Sequence, residues 1–310
     1  MGSDLPSTTG HPAPEPRSAY IKGQDPASLA EATGAVSPPV SEDGALTALF
    51  QGPSSPSAFP LLRFVLPPNT LHGPVCGRFF MARCTDDSPD ARRTDWTYYL
   101  RRPLLVAGLP SALPTGPGQR IDLLPIFPDD PGVRWLAARP FGSRVNLLGP
   151  FGQPFALPAH RRALLVLADA AWLPVWLPAI HAMLDQGGRV TLVLRGVAEP
   201  DAVLPLLPLA VELRTAADED EWARHLGETI RWADVAVCAL PAPEYQALAD
   251  RFRLGRFRLE RGFAYALAPA DLACGFGACL ACVVPLPDGG MTRACLHGPI
   301  FPLERLTTIA

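Results

Sequence analysis

Four closely spaced cysteines near the C-terminus constrain this chain more than any other feature. Cys274, Cys279, Cys282 and Cys295 follow the pattern C-x4-C-x2-C-x12-C and account for four of the seven cysteines. C-x4-C-x2-C with a distant fourth cysteine is the spacing of plant-type [2Fe–2S] ligation. Small residues stand between the first three cysteines, and they let a short loop curl around a cluster: Gly275, Gly277, Ala278 and Ala281. The spacing therefore predicts a [2Fe–2S] site with these four thiolates as ligands.

Two other uses of the cysteines remain as alternatives. A structural zinc site usually takes two separated Cys-x2-4-Cys pairs, and only the Cys279/Cys282 pair has that spacing. Disulfides are typical of small secreted domains, whereas this chain has 310 residues and begins without a basic region followed by an apolar run. Both alternatives fit the sequence less well than the cluster.

The cysteine region resembles a known family. The segments Leu272–Val284 and Arg293–Phe301 are similar to the electron-transfer subunit of class 1B dihydroorotate dehydrogenase, and the likeness extends from about residue 60 to the C-terminus. That family belongs to the ferredoxin–NADP reductase-like superfamily. The resemblance implies an antiparallel flavin-binding β-barrel, a doubly wound parallel α/β nucleotide-binding-like domain and a small C-terminal [2Fe–2S] segment.

Composition changes along the chain predict its division into parts. Residues 1–45 are rich in Pro, Ser and Ala and are predicted to be a disordered extension, with a short helix near Ala27–Ala32. The other predicted parts are an FAD-binding-like barrel at 46–157, a degenerate NAD-binding-like α/β domain at 158–260, and the cluster segment at 261–310. A net charge of −3 gives no reason to expect a nucleic-acid partner.

The apolar stretch Ala163–Leu184 is the one candidate for a membrane span. It contains Asp169, Pro174, Pro178 and His181, and a central Asp is costly in a bilayer. A strand leading into a buried helix explains the stretch better. We therefore expect no membrane insertion and a cytoplasmic protein.

Short apolar runs separated by Pro and Gly predict the strands of the barrel. The predicted strands are Leu61–Leu66, Arg78–Arg83, Pro103–Ala107, Arg120–Ile126 and Arg144–Leu148. In the resembled family an Arg-Pro-x-Ser/Thr motif binds FAD. Arg102 and Pro103 match that motif, while Leu105 stands at the position of the hydroxyl residue.

Two further segments match FAD-binding elements of the family. Pro131–Leu136 stands at the place of a phosphate loop, where Gly132 matches and Val133 replaces a hydroxyl residue. Gly149 and Gly152 belong to a Leu-Gly-Pro-x-Gly turn that matches well. The resemblance implies that these residues contact FAD. From the residues alone, a surface arginine and ordinary turn glycines remain the alternative.

Alternation of strand-like and helical runs predicts the parallel α/β domain. The predicted strands are Leu164–Leu167, Val190–Leu194, Val211–Leu213 and Val235–Leu240, and the predicted helices are Leu177–Leu184, Glu219–Ile230 and Pro243–Ala249. A further strand is predicted at Arg256–Tyr265.

The nucleotide motifs of the family are altered in this domain. Where the family has Gly-Gly-Gly-x-Gly after the first strand, this chain has Ala168-Asp-Ala-Ala-Trp172, and the later Cys-Gly-Pro motif has become Cys238-Ala-Leu-Pro241. Asp169 places a carboxylate at the expected pyrophosphate position, and Trp172 fills space that glycine leaves for the backbone. The sequence therefore predicts weak or absent NAD(H) binding, with a different loop course that still binds as the alternative.

The cysteine segment is expected to close through a hairpin. Val283–Val284 and Thr292–Cys295 are predicted to pair across a turn at Pro285–Gly290, which would return Cys295 to the other ligands. His297 is predicted to be a solvent-facing or capping residue because four thiolates complete the site. The remaining cysteines are expected to be free and buried: Cys76, Cys84 and Cys238.

The resemblance implies a non-autonomous oxidoreductase subunit in pyrimidine biosynthesis. It would pass electrons between FAD and a partner flavoprotein through the [2Fe–2S] cluster. The partner would be an FMN-containing dihydroorotate dehydrogenase catalytic subunit in a hetero-oligomer. The altered motifs leave a second hypothesis, an iron–sulfur relay or sensor that has lost NAD(H) binding, with or without loss of FAD binding.

Overall fold

The structure is a computed structural model that describes residues 44–54, 59–85, 100–113, 117–197, 200–268 and 270–308. The predicted disordered extension falls almost entirely outside these ranges, as does the short helix predicted near Ala27–Ala32. Both stay predictions, and so do the boundaries of the predicted domains.

Seven antiparallel strands form the first half of the described chain. They are β1 (Leu46–Pro53), β2 (Leu62–Leu66), β3 (Phe79–Ala82), β4 (Arg102–Val106), β5 (Ser111–Ala112), β6 (Gln119–Pro125) and β7 (Arg144–Phe151). Their order is β2-β1-β7-β3-β4-β6, and β6 pairs back with β2, while β5 adds to the edge of β6. This closed six-stranded barrel confirms the predicted antiparallel barrel.

Alternating side chains explain why these strands close around a core. In β2, Leu62, Phe64 and Leu66 are buried, whereas the residues between them are half-exposed. Such alternation places one face of each strand inside the barrel. Phe64 packs there against Phe50 with ring centroids 5.4 Å apart. A short helix, α1 (Pro131–Ala137), lies between β6 and β7 in the chain and buries Leu136 against this core.

The α/β domain contains five parallel strands, and three helices lie between them along the chain. The strands are β8 (Ala163–Asp169), β9 (Arg189–Arg195), β10 (Val211–Ala216), β11 (Val235–Ala239) and β12 (Ala264–Leu267), and the helices are α2 (Leu173–Asp185), α3 (Glu219–Thr229) and α4 (Glu244–Arg256). The sheet order is β10-β9-β8-β11-β12. Helix α2 packs with one face of the sheet, and α3 and α4 pack with the other. The predicted doubly wound parallel sheet is confirmed.

The apolar stretch considered as a membrane span is a buried strand and helix. It forms β8, a single 3-10 turn at Ala170–Trp172, and then α2, in which Trp176 and Ile180 are fully buried. No helix in the described part of the chain is long and apolar enough to cross a bilayer.

The predicted strand at Arg256–Tyr265 is wrong over most of its length. Helix α4 continues to Arg256 and ends at Phe257, which has a left-handed φ of 65°. A left-handed residue directly after a helix is a common helix terminator, although glycine is the usual choice. The strand begins only at Ala264, so the apolar and arginine residues before it belong to the helix end and a turn.

The C-terminal segment completes the α/β sheet. It contains β13 (Val283–Pro285), β14 (Met291–Arg293), α5 (Ala294–His297) and β15 (Ile300–Pro302). β13 pairs with β14 as an antiparallel hairpin, so the predicted turn is confirmed, although Cys295 itself lies in α5. β15 then pairs antiparallel with β12 at the sheet edge.

Candidate functional site

The four predicted cluster cysteines lie together as two pairs of thiols. Cys279 lies beside Cys274 and helps to lower the pKa of the Cys274 thiol, and Cys282 Sγ lies 3.1 Å from Cys295 Sγ. Cys295 is also within electrostatic range of Cys274. All four are free thiols rather than disulfides. The hairpin produces this arrangement, because Ala294 N donates to Cys282 O at 2.9 Å and fixes the neighbouring residues of the second pair.

Two pairs of thiols suit a two-iron cluster, in which each iron takes two of the four thiolates. A single zinc ion would need the ligands to converge on one point. Among the described residues, no three Cys, His, Asp or Glu side chains form such a group. His297 is exposed, and its Nδ1 lies 3.1 Å from Thr292 Oγ1.

Backbone N–H groups surround the first thiol. Burial alone would raise the pKa of Cys274, but hydrogen bonds from the backbone of Cys279, Phe276 and Ala278 outweigh it and lower that pKa to about 7. Burial and the neighbouring Cys282 thiol raise the pKa of Cys295 to about 12. The loop is thus built to hold negative sulfur on the Cys274 side.

Two glycines allow the loop to approach its surroundings closely. Gly275 has a φ of +84°, and a Cβ there would lie 2.9 Å from Met81 Cγ and from the Phe151 ring. Gly277 has a φ of +81°, and a Cβ would lie 2.5 Å from Leu296 Cδ1. Both positions therefore require glycine for backbone and for space. Met81 and Phe151 belong to the barrel, so Gly275 is where the cluster loop rests on it.

An apolar cavity of about 120 Å³ lies where barrel, α/β sheet and cluster segment meet. It sits at the carboxyl ends of β8 and β11, the point where the sheet order reverses and α/β folds bind ligands. The altered family positions come together in its wall: Leu105, Asp169, Trp172, Leu240 and Pro241. Of the described lining residues, only Asp169 is charged. The cavity offers apolar walls and one carboxylate where a nucleotide phosphate would need donors.

Asp169 is held by an arginine that the sequence reasoning missed. Arg195, the last residue of β9, donates from Nε to Asp169 Oδ1 at 2.5 Å and binds both carboxylate oxygens of Glu244 at 2.7 Å. It also contacts Glu219 at 3.3 Å and lies over the Trp222 ring. The sequence held a signal for this ion pair, because Arg195 and Asp169 each come just after a predicted strand. The carboxyl ends of neighbouring parallel strands lie at the same edge of the sheet. The network holds Asp169 in place and keeps a net negative charge, because one arginine faces the three carboxylates of Asp169, Glu219 and Glu244.

We expect Arg195→Ala to destabilise the α/β domain. The Arg195 side chain is 17% exposed, so its removal leaves Asp169 and Glu244 close together without their shared cation. Loss of a partly buried charged hydrogen-bond partner costs about 2 kcal/mol, measurable as a shift in the urea midpoint.

Arg224→Ala is the matched control for that variant. Arg224 is 56% exposed and contacts its carboxylates only at 3.8 and 3.9 Å. An exposed pair of this kind contributes less than about 1 kcal/mol. Equal urea midpoints for the two variants would contradict the importance of the Arg195 network.

The residues predicted to contact FAD fall into two places. Pro103 pairs with Met81 of β3, next to Arg102 in β4. Arg102 and Gly132 lie together where β4 meets the start of α1, since a Cβ on Gly132 would lie 3.2 Å from Arg102 Nε. Between them stands Asp130, which was not singled out from the sequence. Its Oδ1 accepts from Arg102 Nε at 2.6 Å and from Gly132 N at 2.7 Å. Asp followed by Pro at the first helical position is an N-cap signature that could have identified it.

Gly149 and Gly152 lie at the other place, where Gly149 faces the backbone of β3 and Gly152 faces the cluster segment. A Cβ on Gly152 would lie 2.7 Å from Gly77 O and 3.2 Å from Gly298 O, and one on Gly149 would lie 3.0 Å from Phe79 O. Gln153 N donates to Gly298 O at 2.6 Å. The turn thus brings the barrel backbone against the end of the cluster segment, and its contact with FAD stays a prediction.

The three remaining cysteines are free and buried. Burial raises the pKa of the thiols of Cys76, Cys84 and Cys238, to about 12 for Cys84. Their thiols are protonated at neutral pH and are therefore much less reactive than a thiolate. This confirms their predicted character.

Known proteins share both the cluster segment and the fold. Residues 270–307 match the iron–sulfur cluster binding domain of dihydroorotate dehydrogenase B. One relative is the dihydroorotate dehydrogenase B (NAD(+)) electron transfer subunit of Shouchella clausii. It is 29% identical to this chain over 184 residues, which cover 56% of this chain and 68% of the relative. The Geobacillus thermodenitrificans subunit is 33% identical over 183 residues, 55% of this chain and 68% of that one. A chain of the NADH-dependent reduced ferredoxin–NADP oxidoreductase superposes with a TM-score of 0.59 at 15% identity, covering 88% of this chain and 90% of the other.

A closed antiparallel barrel, a doubly wound α/β sheet and a C-terminal iron–sulfur segment define an electron-transfer protein with the ferredoxin reductase-like fold. The sequence likeness narrows this class further. The chain belongs to the family of dihydroorotate dehydrogenase B electron transfer subunits.

Proposed function

We propose that this chain passes electrons between FAD and a partner flavoprotein through a [2Fe–2S] cluster held by Cys274, Cys279, Cys282 and Cys295. The observation that carries the proposal is the gathering of these thiols as two pairs within the matched cluster-binding segment. When bound, such a cluster supplies one-electron steps next to two-electron flavins.

The chain's own residues prepare the site for negative sulfur. N–H groups point at Cys274, while Cys282 and Cys295 are buried away from water. Cys279, by contrast, is exposed. Hydrogen bonding, burial and exposure are the levers by which a protein tunes such a centre. The exposed Cys279 edge is the side from which electrons would leave or enter.

A partner surface adjoins that edge. Phe276 is 57% exposed and Leu280 is 58% exposed, on either side of Cys279 in the chain. Large apolar side chains exposed together beside a redox centre are typical of a docking surface. We propose an FMN-containing dihydroorotate dehydrogenase catalytic subunit as the partner, in a hetero-oligomer. A cytoplasmic location is part of the same proposal, and cell fractionation would test it.

FAD is proposed to bind on the barrel near Arg102, Pro103 and Gly132, with Gly149 and Gly152 shaping the end next to the cluster segment. Arg102 and the Gly132 amide converge as a phosphate site requires, but Asp130 stands between them. Val133 and Leu105 have no hydroxyl group, so neither can replace the hydroxyl residue of the family motif. Val133 is buried and Leu105 lines the apolar cavity.

A second candidate function is an iron–sulfur relay that does not oxidise NADH itself. The observation that favours it is the ion network of Asp169 with Arg195 and Glu244, which places fixed negative charge at the expected pyrophosphate position. A helix start and its amides favour anions only where no carboxylate already occupies the site. Under this candidate another protein would supply the electrons.

Anaerobic purification with iron, sulfide and flavin assays tests both candidates. We expect about two irons and two sulfides per chain, bleaching of the visible spectrum by dithionite, and little bleaching by NADH. Asp169 repels the nucleotide phosphates, which is why NADH should act weakly. Rapid bleaching by NADH would contradict the relay candidate and restore the full family reaction. A chain that holds no iron, or holds zinc in proportion to protein, would contradict the cluster itself.

A further inference from the structure

Asp130 stands between Arg102 and the first backbone amides of α1, where FAD is proposed above to bind. Its Oδ1 accepts hydrogen bonds from Arg102 Nε at 2.6 Å, from Gly132 N at 2.7 Å and from Val133 N at 3.4 Å. An arginine and two amides around one oxygen are the donors that proteins use for phosphate oxygens. Here a carboxylate of the chain itself receives them.

The surroundings make this pair hard to displace. The Arg102 side chain is 14% exposed and that of Asp130 is 25% exposed. Arg102 also donates through Nη1 to the backbone carbonyl of Leu100. A Cβ on Gly132 would lie 3.0 Å from Asp130 Oδ1 and 3.0 Å from Cys84 Cβ, so the space around the carboxylate is already filled.

Asp130 is charged whenever the protein is at neutral pH. Partial burial opposes ionisation, but the hydrogen bonds from Arg102 and Gly132 outweigh it and hold the pKa of Asp130 below its usual range. A diphosphate approaching Arg102 would therefore meet a full negative charge within contact distance. Either the Asp130 side chain leaves the start of α1, which loses its cap, or the phosphate stays farther away.

We propose that Asp130 is an internal competitor of the FAD diphosphate and that it sets a low affinity of this chain for FAD. The inference rests on the proposed binding of FAD to the barrel. It predicts that the chain recognises the flavin ring better than the diphosphate, so FAD gains little over riboflavin, which lacks phosphate. Asp130 thus acts as an affinity-setting residue and takes no part in the electron transfer.

Asp130→Asn tests this competition. Asparagine keeps the size and the helix-capping oxygen of aspartate but removes the charge. The full chain carrying its cluster is freed of flavin and titrated with FAD and, separately, with riboflavin, with flavin fluorescence as the readout. We expect FAD to bind about tenfold more tightly than to the unchanged chain, equivalent to about 1.4 kcal/mol, and riboflavin affinity to stay the same.

Asp122→Asn is the matched control. Asp122 on β6 forms an equivalent ion pair with Arg63, at 2.7 Å between Nε and Oδ1, elsewhere on the same barrel. Loss of that pair should leave both flavin affinities unchanged, because it removes an equal charge away from Arg102. Thermal melting of both variants verifies that they fold.

The outcomes separate this inference from the proposed function. Stoichiometric FAD on the unchanged chain, with no change in Asp130→Asn, keeps the function and overturns the inference. FAD binding that appears only in Asp130→Asn supports the inference and removes FAD from the natural chain. Tighter riboflavin binding in Asp130→Asn would place the effect outside the phosphate site and overturn the inference. If neither protein binds FAD, both fail.

Discussion

Cys282→Ala is expected to abolish the iron content of the purified protein, from about two irons per chain to nearly none. Cys282 is buried, and its Sγ lies 3.1 Å from Cys295 Sγ, so the pair would share one iron. Alanine would leave that iron with Cys295 as its single protein thiolate. Iron and sulfide assays and the visible spectrum after anaerobic purification measure the loss.

Cys76→Ala is the control for the loss of a buried thiol. Cys76 is as buried as Cys282, and it donates a hydrogen bond to Val175 O at 3.3 Å in the core between barrel and α2. Its replacement costs about 1 kcal/mol of stability but removes no ligand. Full iron content is expected. A Cys282→Ala protein that keeps its iron and sulfide would contradict the ligand assignment.

Gly275→Ala is expected to destabilise the chain and lower its iron occupancy. The backbone at Gly275 has a φ of +84°, and the new Cβ would lie 2.9 Å from Met81 Cγ and from two atoms of the Phe151 ring. A left-handed conformation costs a non-glycine residue about 1 to 2 kcal/mol, and overpacking adds about 1 to 3 kcal/mol. Thermal melting and iron content measured on the same preparation report both effects.

Gly289→Ala separates the two costs. Gly289 has nearly the same backbone conformation, with a φ of +80°, but a Cβ there meets nothing within 4 Å. It lies in the turn of the hairpin that carries the cluster, so it probes the same segment. We expect only the conformational cost of about 1 to 2 kcal/mol and normal iron content. Equal melting temperatures for the two variants would contradict tight seating of the loop on the barrel.

Local patterns in the sequence were sufficient to predict most of the architecture. Leu61–Leu66 is a short, mostly apolar run between Pro60 and Pro67, and such a run bounded by turn residues identifies a barrel strand without knowledge of its neighbours. Continuous apolar runs such as β8 mark buried parallel strands in the same way. The cysteine spacing and the Pro/Gly turn likewise predicted the hairpin that joins Cys282 and Cys295.

The ion pairs of Arg102 with Asp130, and of Arg195 with Asp169 and Glu244, were not predicted from the sequence. Arg102 meets Asp130 across 28 residues, and Arg195 meets Asp169 across 26 and Glu244 across 49. Local signals mark the single residues, such as Asp130 as a helix N-cap, but which partner each one meets depends on the elements that become neighbours in the fold. The misplaced strand at Arg256–Tyr265 has a different origin, since Phe257 ends a helix in a conformation that its residue type does not announce.

The edge pairing of β12 with β15 fixes how the cluster segment is attached to the α/β sheet. Leu267 pairs with Ile300, and Ala268 N donates to Pro299 O at 2.8 Å, so the cluster loop leaves and re-enters the sheet at neighbouring points. The cluster segment is therefore attached to the sheet at both of its ends. Its position against the barrel is set by packing, as at Gly275, where a Cβ would lie 2.9 Å from Met81 Cγ. A partner that docks at this segment would meet exposed side chains such as Phe276 and Leu280, while both ends of the segment stay attached to the sheet.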